Sequence, residues 1–458
     1  MSRVAIVAPA ARLRAMLVVL AGSGVAQVVG PLAAPQGEAV EALRRLERGR
    51  PESGRPAAMV AAEPLDLAEL ERGGARELLA GEVELARRAE SAVRRGRFAM
   101  LVAWVPADEL PGLRARLAAV GAAVAELPRP ALVEPPTLLR PGRVSGRFRP
   151  LIDTYGATRY ADVDPTPFAA ASFVFMFGMM FGDAGHGLLL MVLGLLLRRA
   201  RSPRLQRIRP LWPFPVAGGA LATVFGVLYG EAFGPTGIVP TLWLSPLDEP
   251  VQLLAAAVAV GAVLLAVSYG YGIVNRWREA GARAALLAPS GIAGLALFGG
   301  AAMVALGVYL EVAAVAIAGV VVAVGGVALL FAGFVADAGL SGAAIAQSLI
   351  EVFDAVVRVG SNAISFTRLA AFGLMHAALG AVVLDGARSL WGSGLAGAAA
   401  AVVVFAAGTA AAFALEALVA GVQAMRLEYY ELFSRVFAGE GEPFSPWRIP
   451  VVDQDQPT

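Results

Sequence analysis

Two ionisable side chains lie in a stretch that is otherwise apolar enough to cross a membrane. Arg368 and His376 occupy the segment 361–379, and a charge near the bilayer centre costs about 2.5–3.5 kcal/mol on insertion scales. Such a residue is a functional-site candidate by default. Helical steps of three and four residues place Asp354 and Ser361 on the same face as these two. A fixed guanidinium beside a titratable imidazole on one polar stripe suits the binding and transfer of ions.

The last apolar segment repeats this combination with Glu416 and Arg426. Gln423 follows Glu416 by seven residues and therefore shares its helix face, while Arg426 lies a little way round from it. Two interpretations stay open at this point. In the first, Arg368 and Glu416 form a buried structural salt bridge. In the second, the two helices together line an ion path.

Further ionisable residues lie near the ends of apolar segments. Asp183 and Glu231 are placed at or near the predicted outer ends, where helix-end polarity is the simpler account, above all for Glu231. Asp354 and Arg358 have the i,i+4 spacing of an ion pair near the predicted inner end. A solvated pair of this kind contributes only about 0.2–0.5 kcal/mol.

Composition limits the classes of protein that fit. The 458 residues are 57% hydrophobic and 16% charged, with a mean hydropathy of +0.67, which is typical of a polytopic membrane protein. No cysteine is present, so thiol chemistry is excluded, and with two histidines we expect neither a metal centre nor a cofactor. All 38 basic residues are arginine, so a lysine-dependent phosphate loop is also excluded. A net charge of +2 gives no indication of a nucleic-acid partner.

Residues 1–150 are predicted to form a small cytoplasmic α+β domain, because strand and helix patterns alternate there. The predicted strands are Val4–Ala8, Val25–Val29, Phe98–Val105 and Ala123–Leu127. The predicted helices are Ala10–Ala21, Glu38–Arg48, a long charged helix over Asp66–Arg95, and Glu109–Ala122. The proline- and glycine-containing stretch Arg50–Pro56 breaks the second helix, and Pro128–Pro141 is expected to be an extended connector.

Residues 151–458 are predicted to form a mainly α-helical membrane domain with about eight crossings. The apolar segments are 168–181, 188–197, 211–233, 251–274, 284–310, 312–335, 343–383 and 395–437. The first two are short and are counted as a hairpin. The last two exceed the roughly 20 residues that a perpendicular crossing needs, so we expect them to tilt or to project from the membrane.

Arginine placement predicts the orientation. The cluster at 198–209 and the group at 276–283 are expected on the cytoplasmic side, and the arginine-free loop 234–250 on the outside. Both termini are then cytoplasmic. The start of the chain does not have the pattern of a cleavable signal peptide.

Several motifs, in chain order from about residue 100 onward, resemble subunit a (subunit I) of rotary V-type and archaeal-type ATPases. They are Asp164–Phe168, Phe177–Gly187, Gly226–Glu231, Ser365–Ala377, Leu415–Glu416, Arg426–Ser434 and Gly439–Phe444. The resemblance implies a non-catalytic stator subunit that carries protons or sodium ions through two half-channels, while other subunits perform the ATP chemistry. The implied location is the cell membrane. The implied partners are the lipid bilayer, the proteolipid c/K ring, and the central-stalk and peripheral-stalk subunits.

The resemblance also implies a role for each candidate residue. Arg368, and Arg426 as a second arginine, face the carboxylates of the ring. Four residues line the outer half-channel: His376, Glu416, Asp183 and Glu231. Two line the cytoplasmic half-channel: Asp354 and Ser361. A fixed guanidinium suits this role because it stays charged in a poorly hydrated place, promotes release of the proton from a ring carboxylate, and blocks a direct proton leak.

Two features depart from the family. The soluble domain lacks the usual long coiled coil and two lobes, on which attachment to the peripheral stalks depends. Gln423 stands on the outer path where eukaryotic members tend to have histidine. Two other functions stay open: a stand-alone ion-coupled secondary transporter, which lacks the support of an internal repeat, and a structural anchor that conducts nothing.

Overall fold

The computed structural model describes residues 1–30, 37–47, 56–130, 133–139, 142, 145–156, 158–436 and 441–452. Two compact units divide the chain: Met1–Leu138 with Gly441–Thr458, and Leu139–Glu440. Parts of three predicted features lie outside the described residues, namely the break at 50–56, the connector at 128–141 and the motif at 439–444.

The first unit contains an antiparallel sheet with the strand order β2-β5-β1-β6, and β4 also pairs with β5. The strands are β1 (Ser2–Pro9), β2 (Gln27–Val29), β3 (Val60–Ala61), β4 (Val93–Arg95), β5 (Phe98–Val105), β6 (Ala123–Leu127) and β7 (Val451–Val452). Its helices are α1 (Leu13–Ser23), α2 (Glu38–Glu47), α3 (Leu67–Arg72), α4 (Arg76–Ser91) and α5 (Leu110–Ala119), with a 3₁₀ turn at Ala10–Arg12. Helices α1 and α5 each connect two strands of the sheet, which is the split β-α-β arrangement.

The alternating patterns of this unit predicted its principal strands correctly, and β5 and β6 have the predicted bounds. The prediction of one long charged helix over 66–95 is wrong. A turn at Gly73–Gly74, where Gly74 adopts φ +68°, separates α3 from α4, and the last three residues form β4 against β5. Leu70 of α3 and Leu79 of α4 pack on α2 as a small separate core.

The C-terminal segment 441–452 belongs to the first unit, a feature that no local pattern predicts. Strand β7 pairs in parallel with β3, and the Trp447 backbone N–H donates to Ala26. Both ends of the described chain are therefore in one unit.

All the regular secondary structure in the described residues of the second unit is helical, which confirms the mainly α polytopic fold. Its helices are α6 (Arg149–Tyr155), α7 (Thr166–Met180), α8 (Ala184–Arg199), α9 (Pro203–Gln206), α10 (Pro213–Tyr229), α11 (Pro250–Leu287), α12 (Ile292–Tyr309), α13 (Ala313–Ala338), α14 (Gly342–Ser365), α15 (Thr367–Trp391), α16 (Gly394–Leu427) and α17 (Phe433–Val436). Short 3₁₀ turns occupy Ser145–Phe148 and Arg209–Leu211, and a π-helical turn occupies Glu428–Leu432. Six helical runs among the described residues are long and apolar enough to cross a membrane, and α7 is a shorter apolar helix.

Two predicted segments need correction. The span at 284–310 begins instead at Ile292. The helical run α11, which is interrupted by the non-helical backbone of Gly281, ends at Leu287, and the loop that contains Pro289 follows it. The predicted helix 343–383 is divided at Phe366 into α14 and α15. Phe366 is fully buried, close to Gly261 of α11, where an added Cβ would lie 2.2 Å from the Phe366 ring. This division lies two residues before Arg368.

Candidate functional site

Asp183 is fixed at the junction of α7 and α8 by backbone donors. Its Oδ1 accepts from the N–H of His186, as the N-cap of α8, and from Phe233 at 2.9 Å. Its Oδ2 accepts from Gly234 at 2.6 Å. The side chain is fully buried, and these three donors hold it in one orientation.

Glycines allow α8 and α10 to approach closely enough to bring Glu231 beside Asp183. A Cβ on Gly226 would lie 2.0 Å from the Ala184 nitrogen, and one on Gly187 would lie 2.5 Å from the Thr223 nitrogen. Small residues at helix contacts are a common means of close packing in membranes. The Ala184 N–H then donates to the Glu231 carbonyl at 2.9 Å.

His376 of α15 joins these carboxylates to Glu416 of α16. Its Nδ1 is hydrogen-bonded to Glu416 Oε2. Its Nε2 lies 3.6 Å from Asp183 Oδ2 and 4.0 Å from Glu231 Oε2. All four residues are buried, with at most 5% of each residue exposed. The structure thus brings together the four residues that were expected to act in one place, although they come from distant parts of the sequence.

His186 completes this group, and the sequence analysis missed it as a site residue. Its Nδ1 lies 3.8 Å from Asp183 Oδ2, and its ring centroid is 5.5 Å from that of His376. The signal was its place in the glycine-rich motif Phe177–Gly187 beside Asp183. We call the five residues the histidine–carboxylate cluster: Asp183, His186, Glu231, His376 and Glu416.

Arg368 pairs with an acid that the sequence analysis did not single out. Its Nη2 lies 3.0 Å from Glu431 Oε1, and Glu416 instead contacts His376, so the structure does not form the salt bridge of Arg368 with Glu416 that was one of the two open interpretations. The Arg368 Nε donates to the Ser365 carbonyl at 3.1 Å. That carbonyl is available because the Leu369 N–H bonds Phe366 instead, which is the 3₁₀ spacing. The division of the predicted helix therefore provides an acceptor for the arginine.

Glu431 lies in the π-helical turn at Glu428–Leu432. Such turns occur frequently at functional sites and re-aim the side chains that they contain. In the same turn Glu428 is fully buried, and the Ser172 hydroxyl lies 2.7 Å and 2.9 Å from its two oxygens. Two buried acids are thus positioned by a single irregular turn.

The other predicted residues do not join these groups. Arg426 is exposed and has no ion pair within the part of the chain that the structure describes, and Gln423 is half-buried with its Oε1 unpartnered. Asp354 and Arg358 form an exposed ion pair, and Ser361 is exposed. A cavity of about 520 Å³ lies next to Arg358 rather than Asp354, and its lining includes the charged residues Arg276, Glu351, Arg358 and Arg435 together with Ser290 and Ser434.

Comparisons with known proteins find relatives of this chain. Residues 91–207, which include Asp183 and His186, match the family described as "V-type ATPase 116kDa subunit family". The chain is 28% identical over 362 residues to the A-type ATP synthase subunit I of Pyrococcus horikoshii, a match that covers 76% of this chain and 53% of that protein. It is 35% identical over 190 residues to the subunit I of Archaeoglobus fulgidus, covering 41% and 26%.

A human protein is also similar over a shorter stretch. The V-type proton ATPase 116 kDa subunit a 3 is 35% identical over 119 residues, which is 24% of this chain and 14% of that protein. The chain spans about half the length of the curated relatives that it matches most extensively.

Proposed function

Because the chain belongs to the family of V-type ATPase subunit a and A-type ATP synthase subunit I, we propose that it is the static, ion-translocating membrane subunit of such a complex. It carries protons or sodium ions between two half-channels and the carboxylates of a proteolipid ring. ATP hydrolysis or synthesis takes place in other subunits of the complex. Its partners are the ring, the lipid bilayer, and the central-stalk and peripheral-stalk subunits, and its termini are cytoplasmic.

The observation that carries the proposal is the setting of Arg368. This guanidinium lies in an apolar helical run, held by one carboxylate and one carbonyl, and its side chain remains 27% exposed. A charge that is held but still accessible can exchange partners with an incoming carboxylate. Among the described residues, Glu431 is the one acid paired with Arg368. Its negative charge competes with the incoming carboxylate and would weaken the hold of Arg368 on it.

The histidine–carboxylate cluster supports an outer half-channel. In it His376, Glu416, Asp183 and Glu231 pass the ion, and Gln423 lies farther along the same path. His376 follows Arg368 by eight residues, or about 12 Å along α15. The cluster lies beside Phe233 and Gly234, at the loop that arginine placement predicts to be external. An ion released at Arg368 therefore has acceptors toward that side.

The inner half-channel is proposed on the opposite side, where Asp354 and Ser361 are exposed on α14. The cavity of about 520 Å³ beside Arg358 and Ser434 offers room for water there. Arg426 is proposed to face the ring as a second arginine. It lies on an exposed face of α16 and the following turn, with apolar neighbours at helical spacing: Leu415, Leu418, Val422 and Tyr430.

The test replaces Arg368 by alanine in the assembled complex, reconstituted in vesicles. ATP-driven ion uptake is expected to fall to background while the subunits still co-purify. Arg388→Ala is the matched control, because Arg388 is an exposed arginine on the same helix whose ion pair in the described structure is with nearby Asp385. Uptake by Arg368→Ala equal to that of the control would overturn the proposal, and so would purification without a proteolipid ring.

A further inference from the structure

The histidine–carboxylate cluster contains several ligand atoms that have no hydrogen-bond partner. Both nitrogens of His186, the Nε2 of His376 and the Oε2 of Glu231 are buried and unpartnered. The two histidines and Glu231 are each 3% exposed. Buried polar atoms are nearly always satisfied, so a group of orphans in one place calls for an explanation.

The separations fit metal ligands better than hydrogen bonds. Asp183 Oδ2 lies 3.8 Å from His186 Nδ1 and 3.6 Å from His376 Nε2, beyond normal hydrogen-bond lengths. The three ligand atoms all lie within 4.8 Å of one another. Zinc–nitrogen and zinc–oxygen bonds of about 2.0–2.2 Å place the ligands of a tetrahedron about 3.3–3.6 Å apart. The two contacts of Asp183 are at or close to that spacing, and any wider separation among the three atoms, up to the limit of 4.8 Å, would shorten when a metal binds.

The surroundings support the ligands in the manner of a built metal site. His376 presents Nε2 to the centre while its Nδ1 is hydrogen-bonded to Glu416, the carboxylate–histidine arrangement that orients metal-bound imidazoles. Asp183 is held by the backbone N–H groups of Phe233 and Gly234. The aromatic rings of Phe181 and Phe413 pack against His186.

The donor set selects the kind of ion. Two imidazoles and hard carboxylate oxygens, in a chain without cysteine, suit Zn²⁺ better than Mg²⁺ or Ca²⁺, which prefer all-oxygen sites. We propose that Asp183, His186 and His376 bind a divalent transition-metal cation, Zn²⁺ in the first instance, with Glu231 Oε2 as the fourth ligand. Although the sequence contains only two histidines, the fold brings both of them to one point.

The metal site is inferred from the geometry of the cluster alone. Only the effect of a bound metal on ion transfer rests on the proposed function. A bound cation would fix His376 and neutralise the carboxylates beside it. If these residues form the outer half-channel, Zn²⁺ would block ion transfer from that side.

In the test, the purified 458-residue chain in detergent is first freed of metals with a chelator. Zn²⁺ is then titrated into it and binding is measured by calorimetry. Zinc-edge X-ray absorption identifies the ligands of the bound ion. We expect one Zn²⁺ per chain in a shell of nitrogen and oxygen that includes imidazole. His186→Gln is expected to weaken binding by roughly tenfold or more, whereas Glu311→Gln, which alters an exposed acid in another loop, leaves it unchanged.

Equal affinity in the His186→Gln and Glu311→Gln chains would overturn the site. Because His186→Gln alters a buried position, its elution volume and thermal midpoint are measured first. If it does not fold, the absorption spectrum of the unsubstituted chain decides, since a shell without imidazole also overturns the site. Inhibition of ATP-driven uptake by external Zn²⁺ is measured separately. If Zn²⁺ binds tightly but does not inhibit uptake, the metal site is supported. That result contradicts only the position of the cluster on the ion path.

Discussion

The ion pair of Arg368 and Glu431, 3.0 Å between Nη2 and Oε1, forms where both of its helical runs depart from α-helical geometry. On one run the helix is divided at Phe366, and the Ser365 carbonyl accepts from Arg368. On the other run, the turn that contains Glu431 is π-helical. Irregular backbone at membrane depth is tolerated only where protein or water satisfies it. Here the arginine itself satisfies one of the freed carbonyls.

We predict that Arg368 and Glu431 are strongly coupled in stability. Removing one member of a buried ion pair costs about 3–5 kcal/mol, and the partial exposure of Arg368 reduces the expected cost of Glu431→Gln to about 1–3 kcal/mol. The double variant Arg368→Gln with Glu431→Gln is expected to recover part of that loss, because no charge is then left unpaired. The measurement is a double-mutant cycle on the unfolding free energy of the chain in detergent.

The control cycle for this pair uses Asp385 and Arg388 on α15, which are 76% and 60% exposed with their charges 3.8 Å apart. A coupling of about 0.2–1 kcal/mol or less is expected for such a surface pair. If the buried pair couples no more strongly than this one, Glu431 does not hold Arg368.

The second prediction concerns the contact of α10 with α8. Gly226→Ala places a Cβ 2.0 Å from the Ala184 nitrogen and 2.3 Å from the Asp183 carbonyl carbon, so the two helices must separate. Overpacking of this kind costs about 1–3 kcal/mol. We expect a lower thermal midpoint and, because Asp183 moves relative to Glu231, weaker Zn²⁺ binding by the histidine–carboxylate cluster.

Gly325→Ala on α13 is the matched control, since its added Cβ meets nothing within 4 Å. It should be neutral or stabilising by up to about 1 kcal/mol, because alanine favours helix more than glycine does. Similar midpoints for the two variants would contradict the close approach of α8 and α10.

The sequence predicted those residues of the candidate site whose placement is itself energetically costly. Arg368, His376 and Glu416 stand out because charge in an apolar segment is costly, and hydrophobic runs located the long helices. Glu431 was missed because the stretch from Glu428 to Glu431 reads as an ordinary polar helix end. Only the π-helical turn directs Glu431 toward Arg368, and that turn has no pattern in the sequence.

Long-range contacts explain the remaining differences. The approach of His186 to His376 depends on how α8, α10 and α15 pack, which no local periodicity contains. The pairing of Val451 with Val60 joins residues from opposite ends of the chain. The break at Gly73–Gly74 did have a local signal, namely two consecutive glycines. The helical pattern on both sides of the glycines concealed it.

The third prediction concerns the fully buried Glu428. Ser172 is the only hydrogen-bonding side chain on this carboxyl among the described residues, so Ser172→Ala leaves a buried polar group unsatisfied. The expected cost is about 1–3 kcal/mol in unfolding free energy. Ser389→Ala is the control, because this exposed serine on α15 bonds only the Gly386 carbonyl, and it should shift stability by about 0.5 kcal/mol or less. Equal effects of the two substitutions would show that Ser172 is not needed by Glu428.

The last prediction concerns pH and Asp162, in the loop between α6 and α7. Burial, and then the negative charge of Glu279, raise the pKa of Asp162 from 3.8 to about 6. Both carboxylate oxygens are buried. The folded chain therefore holds this proton more tightly than the unfolded chain does. The resulting stabilisation is fully present below the unfolded pKa and is lost as the pH rises through about 6.

Asp162→Asn removes this titration while keeping a similar shape. The variant is expected to melt at a higher temperature than the unsubstituted chain at about pH 8, and its advantage should shrink steadily as the pH falls to about 4.5. Asp337→Asn is the matched control, since Asp337 is an exposed acid whose side chain is 83% accessible. An advantage for Asp162→Asn that is the same at both pH values would mean that Asp162 titrates alike in the folded and unfolded chains. Burial would then not be what raises its pKa.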